Sequence, residues 1–187
     1  GERGAVHGVG AGGDDAADLG GVGEATALGQ PHGGGGARQE GLALLAVVAG
    51  SENWLIDLTD AGEIIAINAL TEVPLTRPWF RGLANVRGNL YSVVDLAAFC
   101  GEGLSPMSNE SRMMLIGTRH GLNTALLVTR ALGLRNPDDF EVDESFTDTR
   151  PWVGHALRDH QNRLWKRLIV RPLLVDPRFL DASADVR

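Results

Sequence analysis

Cysteine is almost absent from this chain: its 187 residues include only Cys100. A single thiol excludes an intramolecular disulfide framework and any zinc site built on several cysteines. Lysine is as scarce, with Lys166 alone beside 16 arginines, and acids outnumber bases to leave a net charge of −7. Such a balance lacks the basic face that bulk nucleic-acid binding needs, so no nucleic-acid partner is expected. Long apolar runs are missing too. None reaches the roughly 18–20 residues of a membrane-crossing helix. The longest, Leu42 to Ala49, follows some forty polar and glycine-rich residues and reads as a buried strand rather than a signal-peptide core. Cytoplasmic residence without membrane insertion is the expectation.

The absences are uneven along the chain. Residues 1–50 hold 16 of the 25 glycines and no Phe, Trp, Tyr, Ile, Ser, Asn, Lys, Met or Cys. All ten aromatic residues lie from Trp54 onward. A segment one-third glycine and free of aromatics cannot bury enough apolar surface to offset the entropy of ordering it. Thirty of the first forty residues are Gly, Ala, Val, Asp or Glu, the five amino acids whose codons begin with G. Residues 1–41 are therefore expected to be a disordered low-complexity segment or the product of a mis-assigned start. Residues 42–183 are expected to form one domain, and 184–187 a tail.

From residue 42 short apolar runs recur between turn signals, which is a strand pattern. They are Leu42–Ala49, Trp54–Leu58, Ile64–Ile67, Leu90–Val94, Met113–Ile116, Leu122–Val128, Trp152–Leu157 and Leu164–Val170. The last two are joined by a polar, hairpin-like link, Arg158–Arg163. A spacing near ten residues suits a sandwich or barrel, and two halves divide near residue 105. Helical signals are few. Asp95 precedes a short run, Leu96–Phe99, and Asp176-Pro177 reads as an N-cap and first helical position.

Chemical motifs are weak. Gly8-Val9-Gly10-Ala11-Gly12-Gly13 matches a dinucleotide fingerprint, but no strand precedes it, so no cofactor is expected. His155 and His160 are five residues apart, which is neither helical nor strand ligand spacing, so no metal is expected. Cys100 has no evident activating partner, and no catalytic residue is assigned. The acids Asp138, Asp139, Glu141, Asp143, Glu144 and Asp148 have no binding-loop spacing and read as a solvated loop.

The densest signal is Arg77-Pro78-Trp79-Phe80-Arg81-Gly82-Leu83-Ala84-Asn85-Val86-Arg87-Gly88-Asn89-Leu90-Tyr91-Ser92-Val93-Val94-Asp95-Leu96. Two Arg-Gly pairs stand six residues apart, and glycine there permits positive φ or close backbone approach. Arg87, at a strand entry, can offer its guanidinium fork to carbonyls or carboxylates across an interface.

This stretch resembles the CheW-like family of chemotaxis coupling proteins. The family's pattern of a Pro-aromatic approach, G-[VL]-x-N-[LIV]-R-G and a strand ending in V-D-L is matched by Pro78–Gly82, Gly82–Gly88 and Val93–Leu96. Glu63-Ile64 fits the family's acidic-aliphatic pair, and Ala125–Leu134 its V-[DE]-x-V segment, with Thr129 in place of the usual acid. Within the family, Trp54–Asp57, Pro74–Gly82 and Arg178–Leu180 are most similar to the coupling proteins of pilus-associated, twitching-motility chemosensory systems.

The resemblance implies a mainly β fold of two packed five-stranded SH3-like barrels with short helices, one of them C-terminal. It implies no catalysis. The partners it implies are the cytoplasmic tip of a methyl-accepting chemoreceptor and the CheW-like regulatory domain of a CheA-type histidine kinase. Partner binding is then expected at Arg87, supported by Asn85, Gly88, Glu63 and Gly82. Two other readings stay open: a coupling protein of a flagellar-type array, and a small enzyme using His155, His160 or Cys100.

Overall fold

The computed structural model describes residues 43–116, 119 and 121–181. The glycine-rich segment, its fingerprint match and the tail expected at 184–187 lie outside the described residues, as do His7, His32 and His120. No helix among the described residues is long and apolar enough to cross a membrane.

Among the described residues twelve strands, three short α-helices and a 3-10 turn at Pro137–Asp139 follow one another from residue 44 to 180. The strands are β1 (Leu44–Ala49), β2 (Glu52–Asp57), β3 (Ala61–Ala66), β4 (Leu70–Thr71), β5 (Phe80–Val86), β6 (Asn89–Asp95), β7 (Arg112–Ile116), β8 (Thr124–Val128), β9 (Arg130–Arg135), β10 (Glu141–Val142), β11 (Val153–Arg158) and β12 (Leu164–Leu168). The helices are α1 (Leu96–Phe99), α2 (Val170–Leu174) and α3 (Pro177–Leu180). Asp95 and Asp176 cap α1 and α3, their carboxylates accepting from the backbone N–H groups of Ala98 and Arg178.

The strands form two six-stranded sheets, ordered β10-β11-β12-β2-β1-β9 and β3-β7-β8-β6-β5-β4. Each holds five strands of five to seven residues plus a two-residue strand at one edge, β10 or β4. Both sheets must curl. Residues 67–69 join the edge strands β3 and β4, so Ala66 and Leu70 lie within about 14 Å, whereas a flat six-stranded sheet would hold its edges ~24 Å apart. The link 136–140 constrains β9 and β10 in the same way. The result is two small barrels, called A (with β1) and B (with β3).

The two strand orders superpose element for element, with β3, β4, β5, β6, β7 and β8 matching β9, β10, β11, β12, β1 and β2. Each barrel has one parallel pair, β6 with β8 and β12 with β2. In each a helix follows the second strand of the matching hairpin, α1 after β6 and α2 after β12. The division is therefore not near residue 105. Barrel B is one continuous stretch, 61–128, whereas barrel A is assembled from both ends of the domain, with β1 and β2 completing β9 to β12.

Side-chain alternation sorts the core into three parts. Leu44, Ala46, Leu55, Leu157 and Trp165 fill barrel A, while Ala84, Val86, Tyr91, Val93, Met113, Leu115, Ala125 and Leu127 fill barrel B. The intervening residues of the same strands, including Leu45, Val47, Trp54, Ile56, Met114, Ile116, Leu126 and Val128, meet in a shared core between the barrels. α1, α2 and α3 close it through Leu96, Phe99, Val170, Leu173 and Phe179.

Candidate partner-binding surface

β5 and β6 pair as an antiparallel hairpin in which Val86 faces Asn89, leaving Arg87 and Gly88 as a two-residue turn. Both turn residues have positive φ, 51° and 85°. Two successive left-handed residues match the twist of the flanking strands, which is why such turns favour Asn-Gly or Gly-Gly. Arg87 is the exception: a bulky side chain in that conformation costs about 1–2 kcal/mol. Asn85 holds the turn, its Oδ1 accepting from the Gly88 N–H at 2.9 Å.

Arg87 projects from the tip with 68 % of its side chain exposed. Its guanidinium donates to Glu63 on β3, and this hydrogen bond with the attendant charge raises its pKa further above the usual arginine value. β3 and β5 are not hydrogen-bonded neighbours, so the pair spans the seam of barrel B. Asn68 spans it as well, its Nδ2 donating to the Asn85 carbonyl at 3.0 Å. Four of the five expected binding residues, Arg87, Asn85, Gly88 and Glu63, thus share one corner, beside the exposed Leu90.

Gly82 stands apart from them. It is buried in β5, where the register with β6 shifts, and its φ is 125°. A Cβ there would lie 2.3 Å from the Thr71 carbonyl oxygen, so Gly82 lets β4 close against β5.

Sequence reasoning missed how the two ends of the motif join. Asp95 is fully buried, and its carboxylate accepts from Arg81 Nη1 (2.9 Å), Ala98 N (3.2 Å), Ser105 N (2.8 Å) and Ser105 Oγ (2.7 Å). Arg81 also donates to the Ser105 carbonyl at 3.1 Å. Arg81 and Asp95 therefore form a clamp on the loop after α1, while Arg87 faces outward. The placement of Asp95 directly before a helix was the available signal. Thr129, at the usual position of an acid, lies at the crossover from barrel B to barrel A, where its Oγ1 accepts from Gly50 N at 3.0 Å.

The acidic stretch is only partly solvated. Asp148 takes Arg150 Nη2 at 2.7 Å and Lys166 Nζ at 3.2 Å, and Glu52 takes the same two groups at 2.9 and 3.0 Å. Hydrogen bonds from Arg150 above all hold the Asp148 carboxyl well below the usual carboxylate range. Asp143 accepts from Ser145 and from Arg158 at 2.9 Å.

The groups of the enzyme reading are scattered. His155 is exposed on β11, His160 sits in the β11–β12 turn 3.8 Å from Asp139, and Cys100 follows α1. Burial pushes the Cys100 thiol up to about 11, so it is protonated and a poor nucleophile at neutral pH. Among the described residues no group of three or more His, Cys, Asp or Glu side chains is placed to hold a metal.

The family pattern of the CheW-like domain matches residues 43–177. This chain belongs to the CheW-like domain family. Members of that family are scaffold or coupling adaptors of chemosensory systems. The chain is 26 % identical over 140 residues to Protein PilI of Pseudomonas aeruginosa, covering 72 % of this chain and 76 % of that protein. Its fold is similar to the crystal structure of the scaffolding protein TtCheW from Thermoanaerobacter tengcongensis, with a TM-score of 0.57 and 20 % identity, over 68 % of this chain and 88 % of the other. The CheW-like fold accounts for the paired barrels, and the motif that carried the resemblance lies in the β5–β6 hairpin and the clamp behind it.

Proposed function

We propose that this CheW-like chain, over residues 42–183, is a non-catalytic adaptor that couples a methyl-accepting chemoreceptor to a CheA-type histidine kinase. It engages the kinase through the kinase's own CheW-like regulatory domain, in the cytoplasm. The similarity to PilI supports service in the chemosensory system of type IV pilus twitching motility. Arg87 is the principal contact, with Asn85, Gly88 and Glu63 holding its corner and Gly82 shaping the strand behind it.

One observation carries this reading. An exposed arginine occupies a left-handed turn position that Asn or Gly would occupy with less strain. A strained residue retained where a better-suited one exists points to use rather than to folding. A guanidinium fork at a protruding tip suits a carboxylate or carbonyl pair on a facing protein.

The test is calorimetric titration of the regulatory domain and of the receptor tip into the full chain. Arg87→Ala is expected to weaken one of these interactions about tenfold or more, with an unchanged circular dichroism spectrum. Arg87→Asn should weaken it similarly while raising the melting temperature, because Asn tolerates the turn. Unaltered affinity of Arg87→Ala for both partners would overturn the assignment.

A further inference from the structure

The two curled sheets leave four edge strands: β10 and β9 in barrel A, β3 and β4 in barrel B. An edge strand presents unpaired backbone N–H and C=O groups, and proteins blunt such edges by shortness, charge or covering groups. β4 and β10 have two residues each, too few to pair with an incoming strand. Only β3 and β9, with six residues each, are long enough to accept one.

β9 is closed against such pairing. The guanidinium of Arg135 folds back along its own strand, and Nη1 donates to the carbonyls of Leu132 and Leu134 at 2.9 and 3.1 Å. Those acceptors are then occupied by the protein's own donor. Arg130 and Arg135 place charge at both ends of the strand, and its register with β1 is broken between Ala46 and Val47.

β3 shares the broken register, its pairing with β7 shifting between Ala61 and Ile64, but among the described residues no side chain folds over its carbonyls as Arg135 does on β9. Its sequence, Ala-Gly-Glu-Ile-Ile-Ala, carries a single charge, and among the described residues its only ladder partner is β7. Ile64 packs on the shared core and Ile65 on the barrel B core, so both faces of the strand are anchored while its outer edge has no ladder. Gly62, Glu63 and Ala66 are exposed, and two of these three are small enough for another backbone to approach closely. Among the described residues Arg87 crosses this edge at β3 itself, through Glu63 and by side chains alone, and Asn68 crosses just beyond the strand.

We infer that β3 is a strand-accepting edge, and that its occupant is an extended β-segment of a sheet-bearing partner, carrying a basic residue opposite Glu63. Opposite charges facing one another across two strands stabilise the pairing and set its register. A basic residue on the incoming strand takes over the Glu63 carboxylate and frees Arg87 for an acceptor on the same partner. A helical partner does not supply this occupant. The inference rests on the coupling reading above and specifies how the sheet-bearing partner is held.

Amide hydrogen exchange of the full chain, with and without the kinase regulatory domain, tests it. On binding, the amides of Gly62 to Ala66 are expected to exchange about tenfold or more slowly, while those of Leu132 to Leu134 stay unchanged. Glu63→Lys should remove that protection and weaken binding. Binding with protection confined to β9 or to the hairpin tip overturns the strand-addition inference and leaves the coupling reading standing. Absence of any binding removes the coupling reading, and this inference with it.

Discussion

Gly82 and Gly88 are both glycines at positive φ six residues apart, yet they answer to different physical demands. At Gly88 nothing lies within 4 Å of an added Cβ, so only the backbone conformation resists substitution. At Gly82 the added carbon meets the Thr71 carbonyl oxygen at 2.3 Å as well, and neither backbone can yield without opening β4 from β5. Gly88→Ala should therefore cost about 1–2 kcal/mol of stability and Gly82→Ala about 3 kcal/mol or more, by chemical denaturation. Equal losses at the two sites would contradict the close approach at Gly82. Sequence alone shows two Arg-Gly pairs and does not distinguish them. The difference arises because one pair faces a neighbouring strand and the other faces solvent.

At the level of elements, the segment 143–152 between β10 and β11 has little regular structure and is held by charge. Asp148 and Arg150 from the segment meet Glu52 at the start of β2 and Lys166 within β12, with side chains from 10 % to 22 % exposed. Lys166 is the chain's only lysine, and here it ties an irregular segment to two strands of barrel A. Because the folded-state pKa of Asp148 lies below its unfolded value, its contribution is complete above about pH 4 and is lost progressively as pH falls below that. Asp148→Asn should lower stability by about 1–3 kcal/mol at pH 7, with the gap to the native chain narrowing in melts taken progressively below pH 4. A gap that stays constant down to pH 2 would rule out the carboxylate as the cause. The strands with unbroken apolar runs were legible beforehand, as were both Asp-capped helices. β5 and β9 were not, because arginine and glycine interrupt them, in Arg81-Gly82 and in Gly133 with Arg130 and Arg135. Tertiary pairing overrides those local signals.

Across the whole molecule the barrels share one core. β1 is buried along its full length because Leu44 and Ala46 face the interior of barrel A while Leu45, Val47 and Ala49 face barrel B. β8 is likewise buried along its full length in barrel B, with Leu126 and Val128 turned toward barrel A. Neither barrel can open without exposing the other's packing, so the two should unfold as one cooperative unit. Leu126→Ala, made in barrel B, should destabilise the chain by about 2–5 kcal/mol. Amide protection of Trp54, Ile56 and Trp165 in barrel A should fall as far as that of barrel B. Loss confined to barrel B would show that the barrels unfold separately.

By itself the sequence determined the strand-rich class, the hairpin link at 158–163 and the motif around Arg87. These follow from local chemistry: apolar runs, turn residues and caps act within a few positions of one another. Only the tertiary structure decided that barrel A is built from the two ends of the domain, that Arg81 turns inward to Asp95 while Arg87 turns outward, and that β3 and β9 end their sheets, with Arg135 folded over the carbonyls of β9. Each of these depends on which strands become neighbours. That choice is made by burial summed over the whole core, which no short stretch of sequence contains.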